Sequence, residues 1–498
     1  MNEKQRFLKN TAFSLMSWGF PLLIAFVTTP ILVHSLGTKK YGEYSIVLSF
    51  LAYAFSNGVG KVAGKYIPEY RASDEPDKLS ESVSAAFWMV LAVGLLQVIA
   101  LVSAASFIVA DILLIAPESQ ASVTKALYLA GFSGLILMMG QIFQYALQGV
   151  HRFDIFAVIT NANALLLSVG NVVIVLLGFG IIPLFIWNLT ITTIFGVMFF
   201  IKARPLIPEW RLSLKIRGPI AQAVLRYGGS IIIYQLVTNI LGVFERSWIV
   251  RKFGTETLAF YAVAYMLAVN MHSMLWSFAQ VLFPVVNELL TNKQKLIEVY
   301  EKSVKLTFLV AAFIISTYIC IGRPFFHLWL GSEFSDRSYM LLIFISAAFG
   351  FSAIAIVPWL LAEAFRAPGL NALSSTIWTV VGIPLMYLLA ERWQVEGIAF
   401  ARMVGAAAIV PLIFYIEKRF LDVILWRFWL GLLVKIAVAV GAMIFLEKSF
   451  LRQFEPGWVA LVAGLALGTT VFGVVAFASG LITRQEISLL RSALSGDP

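Results

Sequence analysis

Charge is scarce in this chain. Lys, Arg, Asp and Glu make up 13% of its 498 residues, about half the share found in an ordinary soluble domain, while 60% of the residues are hydrophobic. A soluble fold of this size would lack the polar side chains to cover itself, so a single water-soluble domain is excluded. Cysteine is almost missing, and Cys320 alone closes no intramolecular disulfide. His34, His151, His272 and His327 fall on different segments without the spacing of metal ligands. No redox centre, metal site or other cofactor is expected. A GxxxxGK[ST] phosphate loop is also lacking, which excludes a built-in ATPase. There is no Gly/Ser-rich linker, low-complexity tract or large extramembrane domain.

What is present is apolar sequence in long runs, with a mean hydropathy of +0.87. A membrane-spanning helix needs about 20 apolar residues, and about fourteen such stretches can be marked, near 11–33, 43–66, 84–110, 122–148, 154–178, 180–202, 222–250, 257–290, 304–322, 338–364, 370–390, 396–416, 426–446 and 457–482. Barrel strands would be shorter and would alternate. The class is therefore an all-α polytopic membrane protein. The first run follows Lys4, Arg6 and Lys9 as in a signal peptide, but it is too long and no small-residue cleavage site follows, so it is taken as the first span.

Placing the N-terminus in the cytoplasm puts Arg71, Lys78, Arg152, Lys202, Arg204, Arg211, Lys215, Arg217, Lys293, Lys295, Lys418 and Arg419, among others, in cytoplasmic connectors. The opposite face receives only Lys39, Lys40, Arg251, Lys252, Arg323, Arg337, Arg392, Lys448 and Arg452. That asymmetry predicts both termini on the cytoplasmic side. The net charge of +10 is spread over these short connectors as orientation signals and contacts to anionic headgroups, not gathered into a nucleic-acid patch, so no nucleic-acid partner is expected. Asp74, Glu75 and Asp77 mimic a glycosyltransferase metal motif but read as a solvated charge run.

Sliding the chain along itself by 217 residues aligns element boundaries. Leu36-Gly37-Thr38 meets Phe253-Gly254-Thr255, Lys78-Leu79 meets Lys295-Leu296, and Gly180-Ile181 meets Gly397-Ile398. Six spans separate corresponding elements, so both halves share one orientation. Two pseudo-symmetric six-helix lobes, 1–210 and 211–424, with a cavity between them, are expected. Residues 425–498 add two unpaired C-terminal helices and a cytoplasmic tail. The connectors 66–83 and 283–303 mix charge with spaced apolar residues and predict short interfacial amphipathic helices.

Polar residues are costly in a bilayer, about 2.5–3.5 kcal/mol for a central charge on the most lenient scale, and should face a cavity or another helix. Ser49, Tyr53, Asn57, Lys61 and Lys65 recur every four residues in span two. Asn270, Ser273, Ser277, Gln280 and Asn287 form a similar stripe in span eight, with His272 at its flank. Gln141, Gln144 and Gln148 on span four, and Gln235, Thr238, Asn239, Glu245 and Arg246 on span seven, would add to an amide- and hydroxyl-lined interior suited to sugars. Such groups also join helices to one another, and Lys61 is near enough to the membrane edge to snorkel. Arg402 lies within span twelve, while Glu245 and Arg246 lie near the extracytoplasmic end of span seven, where pairing with neighbouring helices is the alternative reading. Arg246 and Arg402 are the leading ligands for a phosphate or pyrophosphate because guanidinium presents a fork of donors. Candidate substrate-binding residues are thus Arg246, Arg402, Lys61, Glu245, Asn57, Asn270, His272, Gln280 and Gln144.

Asn10 and Thr11 enter span one, followed by Thr29-Pro30-Ile31-Leu32 and Leu36-Gly37-x-x-x-Tyr41-Gly42-x-Tyr44. In the second half, Glu245-Arg246 precedes Phe253-Gly254, Tyr261-Ala262 and Phe283-Pro284. In order and spacing these residues resemble the multidrug/oligosaccharidyl-lipid/polysaccharide superfamily, and within it the Wzx-type polysaccharide flippases, over about residues 1–420. The resemblance implies alternating access by rocking lobes that carry a polyprenyl-pyrophosphate-linked glycan to the outer leaflet of a bacterial inner membrane. Membrane lipids, a polysaccharide polymerase and chain-length machinery are the partners it brings with it. That family commonly has an acidic residue at the position of Glu245. One rival is a cation-coupled multidrug exporter of the same superfamily, though span one carries no carboxylate and span two only Glu43 at its mouth. Another is a membrane polysaccharide polymerase or ligase, though the longest external connector, near 323–337, is short and its Glu333 and Asp336 lack a partner cluster.

Overall fold

A computed structural model describes residues 3–54, 60–280 and 282–484, without the side chains of 3–18, 52–54, 230, 233, 234, 237, 238, 278–280 and 284. Fourteen α-helices follow one another: α1 (Glu3–Ala54), α2 (Lys61–Ala72), α3 (Pro76–Phe107), α4 (Pro117–Gly149), α5 (Phe153–Leu176), α6 (Ile181–Ala203), α7 (Gly218–Gln280), α8 (Leu282–Glu288), α9 (Lys293–Leu330), α10 (Ser332–Ala364), α11 (Gly369–Ala407), α12 (Val410–Phe420), α13 (Trp426–Leu451) and α14 (Trp458–Ala478). No strand occurs among the described residues. This is the all-α polytopic class that the apolar runs demand, because only a helix satisfies its own backbone groups in hydrocarbon without a closed barrel.

Eleven helical stretches are long and apolar enough to cross a membrane. Three of them are broken inside: at Gly37 in α1, at Gly254 in α7, and at Trp393 and Gln394 in α11. Counting the arms on either side of each break separately accounts for the fourteen apolar runs of the sequence. Gly37 has φ 75 and ψ 161, and Gly254 has φ 83 and ψ 170. An L-residue with a Cβ resists this left-handed region, so glycine sets the break. The two glycines are 217 positions apart, and the same spacing recurs elsewhere. Glu75 (φ -115, ψ 71) precedes α3 and Asn292 (φ -116, ψ 83) precedes α9, while Leu114 and Gly331 both have positive φ. The repeat seen in the sequence is thus also a repeat of backbone geometry.

The amphipathic connectors are placed differently from expectation. Pro76 at the first turn of α3 starts that helix inside the 66–83 segment, and the Asn292 side chain, accepting from Lys295 N at 3.2 Å, starts α9 inside 283–303. The short helices between the long ones are therefore α2 and α8. In α2, Val62, Ala63, Tyr66 and Ile67 are buried while Lys61, Lys65 and Glu69 are exposed, the two-faced pattern of a helix lying at an interface.

The chain divides into two compact units, Met1–Ala259 and Phe260–Pro498. In the first, α4 packs against α3, α6, α2 and α1, and α1 against α5. The segment after α6 is strapped to this unit. Arg71 donates to Glu209 at 2.9 Å and to Leu206 O, Ser80 Oγ to Arg211 O at 3.0 Å, Trp88 Nε1 to Ser213 O at 2.9 Å, and Arg217 Nε to Glu81 at 2.8 Å. Trp210 is buried against Phe143, Phe200 and Phe87.

In the second unit α10 packs against α9 and α11, and the terminal pair α13 and α14 packs on α9. A fully buried carboxylate, Glu417, fastens α13 in place by accepting from Tyr300 Oη at 2.9 Å, Trp429 Nε1 at 2.8 Å and Leu425 N at 3.1 Å.

Candidate functional site

The proposed substrate residues fall in both units. In the first, Glu245 is fully buried and Arg246 is 5% exposed on the arm of α7 before Gly254. Arg246 Nη1 donates to Gly242 O, one turn back, at 3.2 Å, so this guanidinium is held within protein and not among acyl chains. Gln144 on α4 is half-buried, and Gln141, a turn earlier, is buried. Asn57 and the side chain of Gln280 lie outside the described residues.

Lys61 does not continue a membrane-embedded stripe from Ser49. It opens the separate helix α2, where it is exposed, while Ser49 is buried on α1 and donates to Ser45 O. One turn on, Lys65 sets its ammonium 4.4 Å from the centroid of Tyr227 and 4.6 Å from that of Tyr66, an attraction between a cation and aromatic faces.

In the second unit Arg402 and His272 share a cluster. The Arg402 guanidinium sits 5.1 Å from the ring of Tyr265, 5.3 Å from Phe349 and 5.2 Å from Trp378, and the side chain is 5% exposed. Trp378 Nε1 also donates to Arg402 O at 3.0 Å. His272 lies 5.3 Å from the same Phe349 ring, with Nε2 2.9 Å from Ser352 Oγ. Asn270 Nδ2 donates to Met266 O at 2.7 Å, a bond within its own helix.

Sequence reasoning found this arginine and this histidine but not the three rings or Ser352 around them. In a chain with 14% aromatic residues, ring positions carry no distinguishing spacing, and only the fold shows which rings meet a cation.

Two cavities are chemically distinct. One in the second unit, of about 450 Å³, has an apolar lining that includes Phe308, Phe351, Phe414, Trp429 and Leu433, and suits hydrocarbon. Another, of about 470 Å³ in the first unit, is lined by Lys39, Lys40, Glu43, Glu118 and Ser119, with Lys39 paired to Glu118 at 2.7 Å. No group of three or more His, Cys, Asp or Glu gathers to hold a metal among the described residues.

A family profile described as polysaccharide biosynthesis protein matches residues 36–339. A Shigella flexneri protein named "Putative O-antigen transporter" is 20% identical over 405 residues, covering 79% of this chain and 93% of its own length. The fold is shared with the lipid II flippase MurJ in an inward closed conformation, at a TM-score of 0.72 and 15% identity over 93% of this chain and 98% of MurJ. It is also shared with an inward-facing multidrug resistance MATE transporter of the multidrug/oligosaccharidyl-lipid/polysaccharide superfamily, at a TM-score of 0.71 and 14% identity over 82% of this chain and 99% of the transporter. With the family profile matching more than half of its length, this chain belongs to the polysaccharide biosynthesis protein family.

Proposed function

We propose that this protein is a flippase that moves a polyprenyl-pyrophosphate-linked oligosaccharide from the cytoplasmic to the outer leaflet by alternating access, for cell-surface polysaccharide synthesis. What supports this most directly, in a chain of this family, is the burial of Arg246 and Arg402 within apolar helices. A guanidinium is expensive inside a membrane, and its planar fork of donors matches the oxygens of a pyrophosphate. The name of the Shigella flexneri relative, an O-antigen transporter, agrees with such a cargo.

The two halves, 1–210 and 211–424, would act as the moving lobes, with residues 425–498 as an addition. Gly37 and Gly254 supply one helix break to each half, where backbone angles can change with little side-chain resistance. Lys61 and Lys65, exposed on α2, would meet the phosphates at the cytoplasmic entrance. Gln144 and Asn57 would serve on the 1–210 half, and Arg246, Glu245, Arg402, His272, Asn270 and Gln280 on the 211–424 half. The protein performs no covalent chemistry on the glycan. It resides in a bacterial inner membrane with both termini cytoplasmic, and hands its cargo to the polymerase and chain-length machinery.

The test is reconstitution in vesicles with polyprenyl-pyrophosphate-linked glycans on one leaflet, followed by a glycan-modifying probe that reads the other leaflet. The wild-type chain should exchange the lipid, and Arg246→Ala or Arg402→Ala should stop exchange while still inserting. Absence of glycan exchange in a wild-type preparation that instead exports lipophilic cations would replace this function with multidrug export.

A further inference from the structure

The basic connectors on one side of the membrane leave few cations for the other, and three of those few line a single cavity. Arg323 of α9 and Lys448 and Arg452 at the end of α13 border a space of about 520 Å³ in the second unit. Ile319, Pro324 and Leu451 give the same cavity an apolar wall. Lys448 and Arg452 are one turn apart on one helix face, an arrangement in which like charges repel. Neither has a carboxylate within ion-pair distance among the described residues.

The acids nearby do not fill the cavity. Asp336 accepts from Arg323 Nη2 at 3.2 Å, but both side chains are largely in the open, at 63% and 69% exposed. Glu447 precedes Lys448 but is fully buried behind the cavity wall, between Gly468 of α14, where a Cβ would stand 2.1 Å from its Oε2, and the Cys320 thiol, which lines the cavity. Tyr339 Oη is committed to Ile319 O at 2.9 Å. The C-terminus of α13 attracts cations by its own dipole, which accounts for Lys448 or Arg452. It does not account for Arg323, which lies seven residues before the end of α9 at Leu330.

We propose that this cavity binds the phosphate of an anionic lipid in the leaflet opposite the basic connectors. Two lysine- or arginine-bearing edges would hold the phosphate oxygens, and the Ile319, Pro324 and Leu451 wall would take the first carbons of the lipid. The ligand chemistry, a phosphate carried on a lipid, is common to phosphatidylglycerol and to a polyprenyl phosphate. The site stands on this cavity alone and does not depend on the transport function proposed above.

Native mass spectrometry of the full chain tests it, titrating phosphatidylglycerol, phosphatidylcholine and a polyprenyl phosphate separately. The wild-type chain should retain phosphatidylglycerol in preference to phosphatidylcholine. Each of Arg323→Gln, Lys448→Gln and Arg452→Gln should weaken phosphatidylglycerol binding roughly fivefold, and the triple variant should lose the preference. Arg337→Gln, a cation of the same face outside the cavity, should leave it intact, and the single variants keep the test valid if the triple does not fold. Polyprenyl phosphate binding more tightly than phosphatidylglycerol would identify the carrier lipid as the source, and the reverse order would identify bulk lipid. Wild-type affinity in all three single variants, equal binding of phosphatidylcholine, or an equal loss in Arg337→Gln would overturn the proposal.

Discussion

Gly42 lies so close to Thr255 that a Cβ built on it would stand 1.7 Å from the Thr255 carbonyl oxygen. Gly42 lies on the arm of α1 beyond Gly37, and Thr255 begins the arm of α7 beyond Gly254, so the arms that follow the two breaks meet at a backbone contact inside the first unit. Gly42→Ala should therefore force the arms apart, at a cost of about 1–3 kcal/mol or more. Gly37→Ala meets no atom within 4 Å and should cost only about 1–2 kcal/mol from its dihedral angles. Thermal unfolding in detergent compares the two, and an equal or smaller loss at Gly42 would show that the contact is not held in solution.

The strap after α6 should loosen when Ser84 is replaced. Its Oγ donates to Arg211 O at 3.1 Å and accepts from Ser213 N at 3.2 Å and Trp210 Nε1 at 3.3 Å. Ser84→Ala leaves these groups short of a partner, at about 1–3 kcal/mol, and Trp210→Ala should cost about 3–5 kcal/mol through the lost packing. Trypsin cuts after Arg211, Lys215 and Arg217, so faster cleavage there is the readout. Unchanged cleavage in Ser84→Ala would mean that the strap is held by something else.

Acid should release the same strap from its other end. Partial burial of Glu209 opposes its ionisation, but hydrogen bonds and charge from Arg71 outweigh this and hold its carboxyl below the ordinary glutamate value. A carboxyl whose pKa is lower in the folded state stabilises above its unfolded pKa, and that contribution fades as pH falls through the folded value. The melting difference between wild type and Glu209→Gln should therefore be full at pH 7 and shrink below about pH 4, near the ordinary glutamate pKa. A difference that grows on acidification contradicts the pairing.

Arg402 offers a separation of stability from transport. Each ring contact contributes about 0.5–2 kcal/mol, and Arg402→Lys keeps a cation among the rings while losing the planar fork of donors. Arg402→Lys is expected to melt within a few degrees of wild type and to fail in leaflet exchange. Normal exchange in that variant would show that the cargo does not need the fork of donors.

The apolar runs and the repeat at 217 residues were legible because bilayer thickness and glycine stereochemistry impose patterns on the chain itself. Gly37 and Gly254 stand at matching places in the alignment and again as matching breaks in the helices. The helix starts at Pro76 and Asn292 were harder to see, since the charged residues around them suggested longer surface segments. The ring of Tyr265, Phe349 and Trp378 around Arg402 was not legible at all, because the three come from α7, α10 and α11. The four-residue period from Ser49 to Lys65 joins positions on two helices, α1 and α2, which a period alone does not reveal.

The grip of Glu417 on Tyr300, Leu425 and Trp429 has an implication for anyone shortening this chain. A version ending at residue 424 would strip two of the three donors from an acid sealed in the interior. The remaining fragment would carry a buried carboxyl left with Tyr300 alone of its three donors, so the last helix pair is better regarded as a keystone than as a detachable annex.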